Sequence, residues 1–146
     1  MKKTYLISEV AEMFDLPVST LRYYDKQNLL PFVQKDRNGY RVFTESDLAF
    51  LKTITCLKNT GMPIKAIQKY IALCMQGVPS IEERKELLSK HAEQIKQQQA
   101  QLSRDLIEVE QKIADYTDEK AQAIIEEKIA FVKKEKANSQ LANPFD

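Results

Sequence analysis

The chain of 146 residues holds one histidine and two cysteines. Cys56 and Cys74 are too few for a disulfide framework and read as reduced, cytosolic thiols. His91 stands alone, and a lone histidine is more often a seam or surface residue than a ligand, so no metal site and no cofactor are expected. The sequence has no GxSxG, no HExxH, no glycine-rich phosphate loop and no Cys–His pair close in sequence. An enzyme is therefore disfavoured. No apolar run approaches the ~18 residues of a membrane span. The opening MKKTYLISEV has lysines but no sustained apolar stretch, so it does not read as a signal peptide, and a cytoplasmic protein is expected. Between Pro79 and Pro144 there is neither proline nor glycine, a contrast that marks the main boundary near Gly77, with short elements before it and long helix expected after it.

Charge is present but divided. The net charge is +1, yet residues 1–76 carry 11 Lys/Arg against 7 Asp/Glu, while residues 77–146 carry 11 against 14. The first part can face nucleic acid and the second is not expected to. The first part is punctuated by Pro17, Pro31, Gly39, Gly61, Pro63, Gly77 and Pro79. Ser8 can cap a first helix reaching about Phe14, with Val10, Ala11 and Phe14 on one face. Asp15-Leu16 makes a tight connection, and Pro17 suits the first turn of a second helix through Val18-Ser19-Thr20-Leu21-Arg22-Tyr23-Tyr24. Two short helices so closely joined are a helix-turn-helix pattern. In residues 31–43, Asn38-Gly39 is a hairpin turn signal flanked by strand formers Phe32, Val33, Tyr40, Val42 and Phe43. Lys35, Arg37 and Arg41 make the hairpin tip basic, as a wing would be. Thr44 and Asp47 have capping-box spacing for a third helix ending at Gly61, and a fourth runs from after Pro63 to about Met75.

Ser80 opens a long helix in which Ile81, Leu88, Ile95, Leu102, Val109 and Tyr116 recur at steps of seven, with Ala92, Leu106 and Ile113 in the second seam position. The stripe is narrow and the other faces are polar, which suits a partner helix better than a broad core. Residues 117–137 continue helical, and 138–146 read as a frayed tail. The expected fold is mainly α: a winged helix-turn-helix head with a small β-hairpin wing over residues 1–76, a coiled-coil dimerisation helix over 77–116, and a short C-terminal helix and tail over 117–146.

These features together resemble the MerR family of regulators. The resemblance rests on LISEVAEMFDLPVSTLRYYDKQNLL followed by NGYRVFTESDLAFLKTITCLKNTGMPIKAIQKYI, with Arg22-Tyr23-Tyr24, Leu29-Leu30-Pro31 and Gly39-Tyr40-Arg41 in the family's order and spacing. It implies a homodimer held by an antiparallel coiled coil, with Ile81, Leu88, Ile95, Leu102, Leu106, Val109 and Ile113 at the interface. It also implies binding to double-stranded DNA at a pseudo-palindromic operator in an overlong promoter spacer, which the dimer distorts for RNA polymerase. Ser19 and Thr20 are short hydroxyl residues at the start of the recognition helix, suited to base or phosphate. Arg22 and Tyr23 reach phosphates, and Tyr24, beside Leu21, is compatible with either core or contact. Lys35, Arg37, Asn38, Tyr40 and Arg41 would embrace the backbone from the wing, and Lys58 matches a basic phosphate-contacting position in the family.

Cys56 lies in CLKNTGMP, a segment similar to that of the thiol-based, aldehyde- and electrophile-responsive branch of the family, in which a cysteine at this position is proposed as the sensor. At about 100° per residue it falls nearly opposite the face formed by Phe50, Leu51, Ile54 and Leu57. Lys52 is its i−4 neighbour and would favour a thiolate. The plainer alternative is a small residue packed under the dimer helix. Cys74 reads as packing. Two other functions remain to be separated from a regulator: a coiled-coil adaptor whose basic head binds protein, and a small enzyme.

Overall fold

The computed structural model describes residues 3–146; the first two positions of the expected head lie outside the described residues. The element order is β1 (Tyr5–Leu6), α1 (Ile7–Met13), α2 (Val18–Lys26), β2 (Gln34–Lys35), β3 (Arg41–Phe43), α3 (Glu45–Asn59), α4 (Ile64–Gln76), a short 3-10 turn (Val78–Ser80), α5 (Ile81–Thr117) and α6 (Ala121–Asn138). Residues up to Ile95 form one compact unit and Lys96–Asp146 a second, with α5 contributing to both.

The first unit is a helical head closed by a small antiparallel sheet of order β1-β3-β2. Strand β1 was not evident from the sequence. Two residues show no alternation, yet Tyr5 and Leu6 pair with Phe43 and Val42. The strand runs straight into α1, which leaves Ser8 inside the first turn and not at its cap; Glu9 reaches back instead, its carboxylate accepting from the Leu6 N–H at 3.2 Å. Thr44 and Asp47 do form the capping box of α3, with the Thr44 N–H bonded to Asp47 at 2.9 Å. Leu21, Leu29, Leu51, Ile54 and Ile67 are sealed from solvent at the centre, with Val10, Val33 and Phe43 around them.

The head's short helices stop sharply for a common reason. Asp15, Asn28 and Gly61 each take a left-handed conformation after α1, α2 and α3. The next residue, Leu16, Leu29 or Met62, bonds back to Ala11, Tyr24 or Leu57. This paired arrangement satisfies carbonyls that the helix end leaves open and turns an apolar residue into the core. Gly61 suits it without strain; Asp15 and Asn28 are the residue types that tolerate it next best.

The start of α5 belongs to the head. Leu87 and Leu88 pack against the head's core, and His91 is only 6% exposed. The expectation that the whole stripe faces a partner helix is therefore corrected at its N-terminal end: Leu88 is half-buried on its own head. His91 of α5 is not a surface residue, because it is buried against the end of α3. Ser80 precedes α5 as expected, but its buried hydroxyl serves the end of α4: its one proton is shared between the nearby carbonyls of Leu73 and Gly77, and the oxygen accepts from Arg84 Nε at 2.9 Å.

In the second unit, Ile124, Ile129 and Val132 of α6 are half-buried and line a cavity of about 300 Å³ with Tyr116 and Phe145. The end of α6 is closed by its own backbone. Gln140 adopts a left-handed conformation and Leu141 bonds back to Lys136 at 2.8 Å, closing α6 as the head's helices are closed. Among the described residues no helix is long and apolar enough to cross a membrane.

Candidate nucleic-acid interface

The recognition surface begins with α2. Pro17 sits just before the helix, and in the first turn Ser19 is exposed and Thr20 half-buried. Leu21 and Tyr24, three apart, turn inward and are buried, which leaves Arg22 and Tyr23 on the outer face. Tyr24 is thus a core residue, and burial pushes its phenol up from the usual value. The far end of α2 is held by α4, whose Gln68 amide donates to the Gln27 carbonyl at 2.7 Å.

The wing is built on Asp36 as much as on Asn38-Gly39. The backbones of Asp36 and Tyr40 close the loop at 2.8 Å, and the Asp36 carboxylate accepts from the N–H groups of Asn38 at 2.9 Å and Tyr40 at 3.0 Å. Only Gly39 of the Asn-Gly pair has positive φ, +82°, which identifies a three-residue loop and not the two-residue turn that the pair suggests. Lys35, Arg37, Asn38 and Tyr40 are exposed along this wing. Lys58, in the last turn of α3, is exposed as well.

Arg41 is placed differently. Its guanidinium makes a two-pronged contact with Asp25 of α2, Nε to Oδ2 at 3.1 Å and Nη2 to Oδ1 at 3.0 Å, and Nη1 donates to the Val33 carbonyl. Both side chains are about two-thirds covered, at 28% and 32% exposure. The fork geometry of guanidinium and carboxylate fixes direction as well as distance. Arg41 therefore clamps the wing to the recognition helix and presents few donors outward. Asp25, Asp36 and Gln68 are the interface's supporting residues that the sequence did not reveal. An Asx turn two residues before Asn38 was a usable local signal; nothing local links Asp25 to Arg41.

Cys56 is exposed on α3, and Cys74 is half-buried. Cys74 lies one turn after Tyr70, where burial first and then the thiol push the phenol up. Among the described residues no three His, Cys, Asp or Glu side chains gather as a metal ion would need. Along α5, Leu102 (68%), Leu106, Val109, Ile113 (59%) and Tyr116 are exposed, whereas Ile95 is half-buried and Ile81 exposed.

A helix-turn-helix with an attached, clamped wing and an outward hydroxyl, arginine and tyrosine on the second helix defines a winged DNA-binding head. The models of the MerR helix-turn-helix family of regulatory proteins and of the MerR DNA-binding region match residues 5–74 and 48–105. An uncharacterized HTH-type transcriptional regulator of Haemophilus influenzae is 42% identical over 118 residues, covering 81% of this chain and 87% of that one. The crystal structure of HiNmlR, a MerR family regulator lacking the sensor domain, bound to promoter DNA, is 41% identical. It has a TM-score of 0.76 and covers 83% of this chain and 94% of that one. A MerR family regulator from Bacillus thuringiensis is similar at TM-score 0.74 and 41% identity, covering 78% and 100%. The chain belongs to the MerR family and is a DNA-binding transcriptional regulator.

Proposed function

We propose that this protein works in the cytoplasm as a homodimer. It binds a pseudo-palindromic operator and activates transcription by distorting an overlong promoter spacer for RNA polymerase. The observation that carries this reading is the pairing of two surfaces: an outward set on α2 and the wing, and an apolar stripe on α5 left in water. Ser19 and Thr20 face base edges. Arg22, Tyr23, Lys35, Arg37, Asn38, Tyr40 and Lys58 hold phosphates, which position the head without reading sequence. Arg41 acts through the clamp with Asp25. Leu102, Leu106, Val109, Ile113 and Tyr116 form the seam of an antiparallel coiled coil, since contiguous exposed apolar surface of this kind marks an interface. Ile81, Leu88 and Ile95 continue its register toward the head, where Leu88 also serves the core. The division of labour is then head over 1–76, dimer helix over 77–116 and C-terminal helix and tail over 117–146. The likeness to HiNmlR, whose crystal structure holds promoter DNA, supports the same use of the head.

The proposed inducer is an aldehyde or another electrophile, sensed at Cys56, whose exposure makes it available. The Cys56 sulfur adds to the aldehyde carbon, a C–S bond forms, and the thiol proton ends on the former carbonyl oxygen. The product is a hemithioacetal and nothing leaves. The test is transcription in vitro from a promoter with an overlong spacer, footprinted upstream of the protein's own gene and its neighbours. Wild type should bind with or without a reactive aldehyde but activate only with it. Cys56→Ser should bind and stay silent, while Cys74→Ser should respond as wild type. A Cys56→Ser protein that still responds removes the thiol from the mechanism.

A further inference from the structure

The last turn of α3 and the first turns of α5 are joined by one side-chain pair. Thr60 Oγ1 lies 2.7 Å from His91 Nε2. The same oxygen lies 2.8 Å from the Cys56 carbonyl and 3.2 Å from that of Leu57. A hydroxyl has one proton and can accept on its lone pairs. The imidazole tautomer decides whether that proton goes to Nε2 or to the Cys56 carbonyl, and in either case the hydroxyl bonds His91. The Thr60 backbone N–H donates to the Cys56 carbonyl, at 3.1 Å. Thr60 thus ties the end of α3 to α5. His91 is 6% exposed, so water does not compete freely for this bond. Leu87 and Leu88, one turn earlier, pack on the head's apolar core through contacts that are non-directional. Directional ties come from two places. Arg84, near the start of α5, donates to the carbonyls of Cys74 at 3.3 Å and Gly77 at 2.8 Å, and the Thr60–His91 bond adds a second tie further along the helix.

We infer that the Thr60–His91 hydrogen bond, as the second directional tie beyond Arg84, completes the fixing of α5's rotation on the head, which makes both residues positioning determinants of the operator half-site spacing the dimer accepts. The inference rests on the proposed homodimer. In it, each head is carried by a dimer helix, so freedom at this joint becomes freedom in the distance between recognition helices. The joint also ties α5 to the peptide carbonyl of Cys56, so a displacement of that turn would be felt at the same bond.

The test uses the full-length dimer and a series of operator duplexes whose half-sites are moved apart or together one base pair at a time. Wild type should show a sharp optimum, with affinity falling by about tenfold or more one base pair away, since the DNA must twist to compensate. Thr60→Val keeps shape but removes the hydroxyl, and His91→Leu removes the imidazole. Each should bind the optimal duplex less tightly by no more than about thirtyfold, the cost of one hydrogen bond of about 1 kcal/mol lost in each of the two protomers. Each should also lose much of the discrimination against the neighbouring spacings. Thr60→Ser and His91→Gln, which retain the hydroxyl and a terminal N–H, should restore the sharp profile. Sedimentation and circular dichroism on every variant separate loss of the joint from loss of the fold. Spacing profiles of Thr60→Val and His91→Leu that match wild type, in folded dimers, would overturn the inference while leaving the proposed function standing. A wild-type protein that binds all spacings equally would overturn the two-headed dimer itself, and the inference with it.

Discussion

Replacing Arg41 by alanine should destabilise the head without changing its salt-dependent grip on DNA. The guanidinium makes two contacts to Asp25 and one to the Val33 carbonyl, and both charged groups are about two-thirds covered. Charge-assisted hydrogen bonds of a covered pair contribute about 1.5–3 kcal/mol. The remaining exposure moves this toward the lower values of surface pairs. A loss of about 2 kcal/mol is therefore expected for Arg41→Ala, and about half that for Arg41→Lys, which cannot form the two-pronged contact. Asp25→Ala should cost a similar amount, and the double variant little more than either single one. Denaturation by urea, followed by circular dichroism at fixed dimer concentration, measures this. The second arm is the slope of log affinity against log salt. A lost phosphate contact flattens it by about 0.9, and a dimer loses the contact twice. Arg37→Ala, on the exposed wing, should show that flattening with stability unchanged, because its side chain is solvated. Arg41→Ala should show the reverse. An Arg41→Ala protein as stable as wild type, with a slope flattened as for Arg37→Ala, would refute the clamp and make Arg41 a phosphate ligand.

The double change Leu102→Asp and Leu106→Asp places charges where the seam would be buried, at a cost of several kcal/mol, so sedimentation should show monomer and operator binding should fail. A persisting dimer would put the interface elsewhere. At Asn28, left-handed at φ 60° after α2, Asn28→Gly should be neutral or slightly stabilising, whereas Asn28→Ala should cost about 1 kcal/mol, read from the urea midpoint. Ser19→Ala should redistribute affinity among operator variants while leaving the salt slope within error, since a base-edge contact releases no counterion. Equal losses on every sequence would move Ser19 to the phosphates.

Much of the head was legible because its signals are local. Asp15 and Gly61 end helices where the sequence places a tight connection and a C-terminal cap, and Thr44 with Asp47 cap α3 through a three-residue spacing; Asn28 ends α2 in the same way without having been read from the sequence. The wing's position in sequence was legible from Asn38-Gly39, but its turn type was not, since Asp36 decides it from outside the pair. What escaped were contacts between residues far apart in the chain. Tyr5 meets Phe43 across the sheet, Asp25 meets Arg41 at 16 residues' separation, and Thr60 meets His91 at 31. Each of these residues has an ordinary local reading: a turn-adjacent tyrosine, a helix-end acid, a wing cation, a lone histidine. Opposite charge alone could not select Asp25 from the other acids of the head.

The heptad stripe of α5 shows why a correct pattern can carry a mixed meaning. A step of seven reports only that one helix face is apolar. It does not report whether that face is covered by the chain's own head or by another chain, because burial stabilises equally in both cases. The structure separates the two by exposure. Up to Ile95 the stripe is partly drawn onto the head, through Leu87, Leu88 and the enclosed His91; beyond it Leu102, Leu106, Val109, Ile113 and Tyr116 are left uncovered. The polar residue is the more informative one here. An apolar side chain at position 88 suits either surface, but an imidazole is tolerated in a closed site only where a partner satisfies it, and Thr60 supplies that partner. A single histidine beside the stripe thus marks a stretch of the helix that belongs to the head, and it does so by the specificity of a hydrogen bond that no apolar residue could provide.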